Sequence, residues 1–240
     1  VSIRAVFFDA GETLVHAEPS FPELLALTLK AEGFDVDPAT VRSKVHTVSE
    51  HFDRARRAGE LWTTSMDKSR RFWFGVYRTF LGELGLPYSD ALAGRLFETF
   101  TDLANYRLFD DVEACLRDLE ERDLILGVVS NFEEWLERLL ESLGVTDHFD
   151  VRIISGVEGM EKPDPRLFRL ALDRTGVRAE ESAYVGDIPM FDTEPAAALG
   201  MHPVLIDRRD RYPDYPGPGP RITRLDDLPA AIGLPERART

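Results

Sequence analysis

The sequence predicts an α/β fold: a parallel sheet between two layers of helices, carrying an all-helical insert. Three observations predict it. Five short apolar runs rich in β-branched residues each stop at a turn signal. Helix-period runs separate the later ones, and strand–helix–strand repetition places strands in parallel with helices on both faces. Residues 17–105, after the first run, carry helix formers and aromatics but no strand signal.

The elements follow in order. Val6-Phe7-Phe8 is the first strand and ends at Asp9. The insert carries Leu24, Leu25, Leu27, Leu29, Phe72, Trp73, Phe74, Tyr77, Phe80, Leu84, Leu96, Phe97 and Phe100. An amphipathic run around Cys115 leads to the second strand, which ends at Ser130. Residues 133–143 put Trp135, Leu136, Leu139, Leu140 and Leu143 on one helical face, with Gly144 as C-cap. Val151-Arg152-Ile153-Ile154 ends at Ser155, and a helix over 165–175 starts with Asp164 as N-cap and Pro165 inside it. Ala183-Tyr184-Val185 ends at Gly186-Asp187, and Pro203-Val204-Leu205-Ile206 ends at Asp207. Residues 210–220 form a proline-rich loop, followed by a short strand near Ile222 and a last helix over 226–232. In parallel sheets, function collects at the carboxyl ends of the strands.

Composition excludes several classes. A formal charge of −14 opposes a nucleic-acid surface and an anionic membrane. No stretch approaches the ~20 apolar residues of a membrane span, so a cytoplasmic location is expected. The single cysteine, Cys115, excludes an internal disulfide and reads as a small buried residue. There is no glutamine, two asparagines (Asn105, Asn131) and four lysines. Heat adaptation and skewed genome composition both explain that bias.

The chemistry-bearing residues stand at strand ends. Asp9 precedes Ala10-Gly11, where the chain must turn, and such an Asp can also serve only as a turn cap. Ser130-Asn131 places a hydroxyl and an amide before a helix, where they can bind phosphate oxygens or cap that helix. Lys162, in Glu161-Lys162-Pro163-Asp164-Pro165, can neutralise a carboxylate and a phosphate or remain solvated. Asp187 and Asp192 offer two carboxylates to a hard cation such as Mg²⁺, although Asp192 also suits the N-cap of the next helix.

Together these strings resemble the four motifs of the haloacid dehalogenase (HAD) superfamily. Phe7-Phe8-Asp9-Ala10-Gly11-Glu12-Thr13-Leu14 resembles the first motif, with Asp9 as nucleophile and Thr13 supporting it. Ser130-Asn131 resembles the second, Lys162-Pro163-Asp164-Pro165 the third, and Gly186-Asp187 with Asp192 the fourth. The resemblance implies a Rossmann-like sheet of order 5-4-1-2-3. It implies a core over 1–16 and 106–240 and a helical C1-type cap over 17–105. It also implies Mg²⁺ held by Asp9, the Gly11 backbone carbonyl and Asp187, with Asp192 reached through water. The substrate implied is small, anionic and phosphorylated, and the protein a monomer or homodimer.

One position departs from the pattern. Phosphatases of this family usually carry a second Asp two residues after the nucleophile, which protonates the leaving group; here that residue is Gly11. Glu12, His16, a cap residue or water could substitute. Three functions follow: a Mg²⁺-dependent phosphatase favouring good leaving groups, a haloacid dehalogenase or phosphonate-type hydrolase, and a catalytically weak binding or regulatory protein. The dehalogenases need no metal and lack the acidic pair that Asp187 and Asp192 form here. In the insert, His46, His51, Arg54, Arg56, Arg57, Arg70 and Arg71 are candidates to attract an anion, and Trp62, Trp73 and Phe74 read as its core.

Overall fold

The computed structural model describes residues 2–235. They fold as two compact units, residues 2–16 with 108–235, and Ala17–Arg107. The chain runs β1 (Ala5–Phe8), β2 (Val15–Ala17), then helices α1 (Phe21–Ala31), α2 (Pro38–Ser43), α3 (His46–Arg57), α4 (Met66–Glu83) and α5 (Asp90–Phe100). It continues through β3 (Tyr106–Leu108), α6 (Val112–Glu120), β4 (Ile125–Ser130), α7 (Leu136–Ser142), β5 (Val151–Ile154), α8 (Ser155–Glu158) and α9 (Pro165–Thr175). The last elements are β6 (Ser182–Gly186), α10 (Thr193–Ala198), β7 (His202–Ile206), β8 (Arg221–Ile222) and α11 (Leu228–Ala231).

The main sheet has the order β5-β4-β1-β6-β7-β8, with every pairing parallel. The five expected strands take the expected order, and the short strand at Ile222 extends the sheet by one. All four residues of β1 are fully buried, as a central strand covered on both faces requires. Phe7, Ile153, Phe168 and Tyr184 share one buried cluster on this sheet. Asp164 caps α9 by accepting from the Arg166 N–H, and Gly176 ends that helix in the left-handed conformation. Cys115 is buried, and burial pushes its thiol up to about 12, the behaviour of an inert packing residue.

One local expectation needs correction. The helix expected over 133–143 begins only at Leu136. The residues before it are tied down instead: the Phe132 N–H donates to Ser155 Oγ, which donates back to the Phe132 carbonyl, and the Gly156 N–H donates there too. Those bonds hold the chain out of helical geometry despite its apolar period. The short strands β2 and β3 pair as a separate two-stranded sheet.

The Ala17–Arg107 unit contains α1 to α5. Leu25, Leu29, Val41, Tyr77, Phe80 and Leu96 form its buried centre, while Leu27 is exposed. Trp62 stacks on Phe72 at 5.0 Å, with Phe52 and Trp73 packed edge-on around them. Of the seven cations read as anion attractors, six are exposed. The seventh, His51, is half-buried against Phe72, and that burial lowers its pKa.

Candidate active site

Adjacency in the sheet builds the site. β1 lies between β4 and β6, so their carboxyl ends deliver Asp9, Ser130 and Asp187 side by side. The Asp9 N–H donates to the Val185 carbonyl at 2.8 Å and so extends the strand ladder to the nucleophile candidate itself. After Asp9 the chain turns tightly, with the Leu14 and Val15 N–H groups both donating to the Ala10 carbonyl.

Lys162 organises the side chains. It is 3% exposed. Its ammonium donates to Asp9 Oδ1 at 2.7 Å, Asp192 Oδ1 at 2.7 Å and the Tyr184 hydroxyl at 2.9 Å, so all three of its protons are engaged. Burial works against its charge, but Asp192 and Asp9 outweigh burial and hold it protonated. A solvated surface lysine is thereby excluded.

The Asp9 carboxylate is dressed unevenly. Oδ1 accepts from both Lys162 and Ser130 Oγ, the latter at 2.9 Å, whereas Oδ2 accepts no hydrogen bond among the described residues. Burial raises the Asp9 pKa, Lys162 opposes that, and the Asp192 charge adds to it. Asp187 is buried as well, and its carboxyl is pushed up to about 8 by burial and by the charges of Asp9 and Asp192. Arg211 offsets this only in part. Ligand oxygens of Asp9, Asp187 and Asp192 lie within 4.8 Å of one another.

Asp192 stands at the N-cap position of α10, but its side chain does not cap that helix. Oδ1 holds Lys162, and Oδ2 accepts from the Ile188 N–H at 2.9 Å. Gly186 makes this possible: a Cβ there would stand 2.3 Å from the Asp192 carboxyl carbon. Asn131 likewise caps no helix. Its Oδ1 accepts from the Lys162 N–H at 2.7 Å and its Nδ2 donates to the Lys162 carbonyl at 2.9 Å, a two-bond grip on that backbone. It therefore positions Lys162.

Thr13 is fully buried, and its hydroxyl has no hydrogen-bond partner among the described residues. Its carbonyl accepts from Arg208 Nε and Nη2. The two candidates to replace the missing acid are occupied elsewhere. The Glu12 carboxylate pairs with Arg209, and the His16 ring packs on Phe109 at 4.4 Å. A Cβ built at Gly11 meets nothing within 4 Å, so the loop has room for a side chain it does not carry.

Comparison with known proteins decides the family. The family model described as "Hydrolase: haloacid dehalogenase-like hydrolase" matches residues 3–200. The chain belongs to the haloacid dehalogenase-like hydrolases. Haloacid dehalogenase-like hydrolase domain-containing protein 3 of Mus musculus is 32% identical over 86% of this chain and 82% of its own length. Ribulose-1,5-bisphosphate 5-phosphatase of Halopiger xanaduensis is 29% identical over 85% of this chain and 84% of its own. The crystal structure of the HAD-hydrolase YfnB from Bacillus subtilis, bound to magnesium, superposes with a TM-score of 0.79 at 18% identity, covering 98% of this chain and 100% of that one. The L-2-haloacid dehalogenase RSc1362 shares the fold at a TM-score of 0.74 and 22% identity, covering 97% and 99% of the two chains.

Two contributors to this HAD hydrolase's site had no signal of their own in the sequence. Tyr184 reads as a strand residue, yet its hydroxyl accepts from Lys162 and donates to the Val129 carbonyl at 2.7 Å. Arg211 lies in the proline-rich loop, yet its Nη2 donates to Asp187 Oδ2 at 2.6 Å.

Proposed function

We propose that this chain is a Mg²⁺-dependent phosphatase that hydrolyses a small phosphate ester or anhydride through an aspartyl-phosphate on Asp9. The observation that carries the reading is the Asp9 carboxylate, with one oxygen fixed by Lys162 and Ser130 and the other bare, beside two further buried carboxylates. Three carboxylates facing Lys162 and Arg211 leave the cluster short of positive charge. The oxygen-only donor set and the orphaned Thr13 hydroxyl suit a hard divalent cation and an anionic ligand beside it.

Asp9, Asp187 and the Gly11 carbonyl would hold Mg²⁺, with Asp192 reached through water. When bound, Mg²⁺ supplies the positive charge that lets an anionic phosphate approach an anionic nucleophile. Asp9 Oδ2 attacks phosphorus, and the bond to the leaving-group oxygen breaks as the Asp9–phosphorus bond forms. Water then attacks phosphorus, the Asp9 Oδ2–phosphorus bond breaks, and the step yields the Asp9 carboxylate and inorganic phosphate, with the water proton passing to the phosphate or to solvent. Throughout, Lys162 stays on Oδ1, orients the carboxylate and screens its charge. Asn131 fixes the Lys162 backbone, and Asp192 fixes its ammonium.

The first step has no side-chain acid at residue 11. General acid catalysis contributes about 10²–10⁴-fold, so acyl and aryl phosphates, whose leaving groups depart as anions, should be the better substrates. The test is a panel of acyl, aryl and alkyl phosphates, assayed with Mg²⁺ and with a chelator, beside 2-chloropropionate. Expected is Mg²⁺-dependent phosphate release, fastest with good leaving groups. Chloride release without metal overturns the reading, and phosphate release indifferent to chelator removes the cation from it.

A further inference from the structure

Arg211 takes no part in the reaction as drawn, yet it sits on the acidic cluster. Its backbone is pinned. Asp207 is fully buried, accepts from the Arg221 Nε at 3.0 Å, and uses its two oxygens to accept from the Arg211 and Tyr212 N–H groups, each at 2.8 Å. Its side chain is not pinned in the same way. The side chain of Arg211 remains 38% exposed; among the described residues only its Nη2 makes hydrogen bonds, with Asp187 Oδ2 at 2.6 Å and the Asp187 carbonyl at 3.2 Å, and its guanidinium carbon lies 5.5 Å from the Tyr212 ring centroid. Arg208, three residues earlier, shows what a locked arginine looks like here: it is 6% exposed and gives Asp111 both terminal nitrogens at 2.9 Å. Arg211 thus has a fixed base and a half-exposed arm held at one nitrogen, and that nitrogen grips a carboxylate proposed as a ligand of the cation.

We propose that Arg211 is an exchangeable counter-ion. It holds Asp187 while no divalent cation is bound and, once that cation displaces it, turns its guanidinium to the phosphoryl oxygens of the substrate. This rests on the Mg²⁺-dependent reading above. A planar guanidinium suits phosphoryl oxygens, and the pinned turn lets the side chain swing without moving the backbone.

An exchangeable Arg211 has two effects of opposite sign on substitution, which a merely structural arginine would not show. Removing the guanidinium removes a competitor for the cation site and also removes a ligand for the anion. Calorimetry on the full chain, with Arg211→Gln and Arg211→Lys beside the wild type, measures both. Titrated with Mg²⁺ alone, Arg211→Gln should bind about tenfold more tightly than wild type. Titrated with inorganic phosphate at saturating Mg²⁺, it should bind about tenfold more weakly. Arg211→Lys should fall between on both counts, and it serves if the glutamine variant does not fold. Unchanged or weakened Mg²⁺ binding, or unchanged phosphate binding, overturns the inference. If neither protein binds Mg²⁺, the cation reading itself fails and this inference falls with it. If both bind Mg²⁺ equally well, only the role of Arg211 fails.

Discussion

Two sets of buried carboxylates lie around this sheet, and they differ in how completely the protein neutralises them. At Asp111, burial opposes ionisation, but Arg208 grips both oxygens and the Leu225 N–H adds a bond at 2.8 Å, which together hold the carboxyl below the usual range. At Asp207, burial is likewise overcome by the Tyr212 and Arg211 N–H groups and by Arg221. At the strand ends the balance reverses. Asp9 and Asp187 are raised, with burial and neighbouring carboxylates prevailing over Lys162 and Arg211. The same chain that satisfies two buried acids leaves the others under-compensated, and the shortfall falls where the proposed cation would supply charge.

The largest expected effect comes from exchanging one acid in each set. Asp9→Asn should lower turnover at least ~10³-fold while leaving urea-denaturation stability unchanged or raised, because it removes an under-compensated charge. Asp111→Asn should do the reverse. It strands the buried Arg208 guanidinium and should cost about 3 kcal/mol of stability, with activity per folded molecule retained. Equal stability losses in the two variants would erase the distinction.

A smaller effect depends on pH. Burial and the charges of Asp9 and Asp192 push the Asp187 carboxyl up to about 8 in the folded chain, above its ordinary value of 3.8. Its contribution to stability is therefore present below the unfolded value and is lost as pH rises through the folded one. The metal-free melting temperature should fall between pH 5 and pH 8. Added Mg²⁺ should raise it more at pH 8 than at pH 5, where the cation must first displace a proton. A Mg²⁺ effect larger at pH 5 would contradict the under-compensated cluster.

The smallest expected effect concerns leaving groups. Gly11→Asp enters open space at Cβ, so the fold should accept it. Turnover of alkyl phosphates should rise about tenfold more than that of aryl phosphates, read from kcat on matched esters. Equal gains on both would remove the leaving-group argument.

Much of this was legible in the sequence, for physical reasons. A buried parallel strand needs a continuous apolar run, so β1, β4, β5, β6 and β7 announce themselves, and their ends announce Asp9, Ser130 and Asp187. Lys162 was legible through its Lys-Pro-Asp-Pro setting, although its burial was not. The remaining features depend on contacts between distant segments. The grip of Asn131 on the Lys162 backbone joins loops 31 residues apart in sequence. Tyr184 has the pattern of any strand aromatic until its hydroxyl is placed. Arg211 sits in a loop without periodicity, where nothing local states a partner. Residues 133–135 continue a helical period that tertiary bonds to Ser155 and Gly156 override, and strands of three residues such as β2 are too short to display alternation.

The two glycines beside the acids set unequal terms for mutational drift. Any side chain at Gly186 collides with the Asp192 carboxylate and would evict a partner of Lys162. That position is closed to change for as long as the ion-pair network is retained. Gly11 is open: a single substitution can add a carboxylate to the loop after Asp9 without first rebuilding its surroundings. On the proposed mechanism, the scaffold can thus change its leaving-group preference one residue at a time while the grip on Asp9 stays fixed.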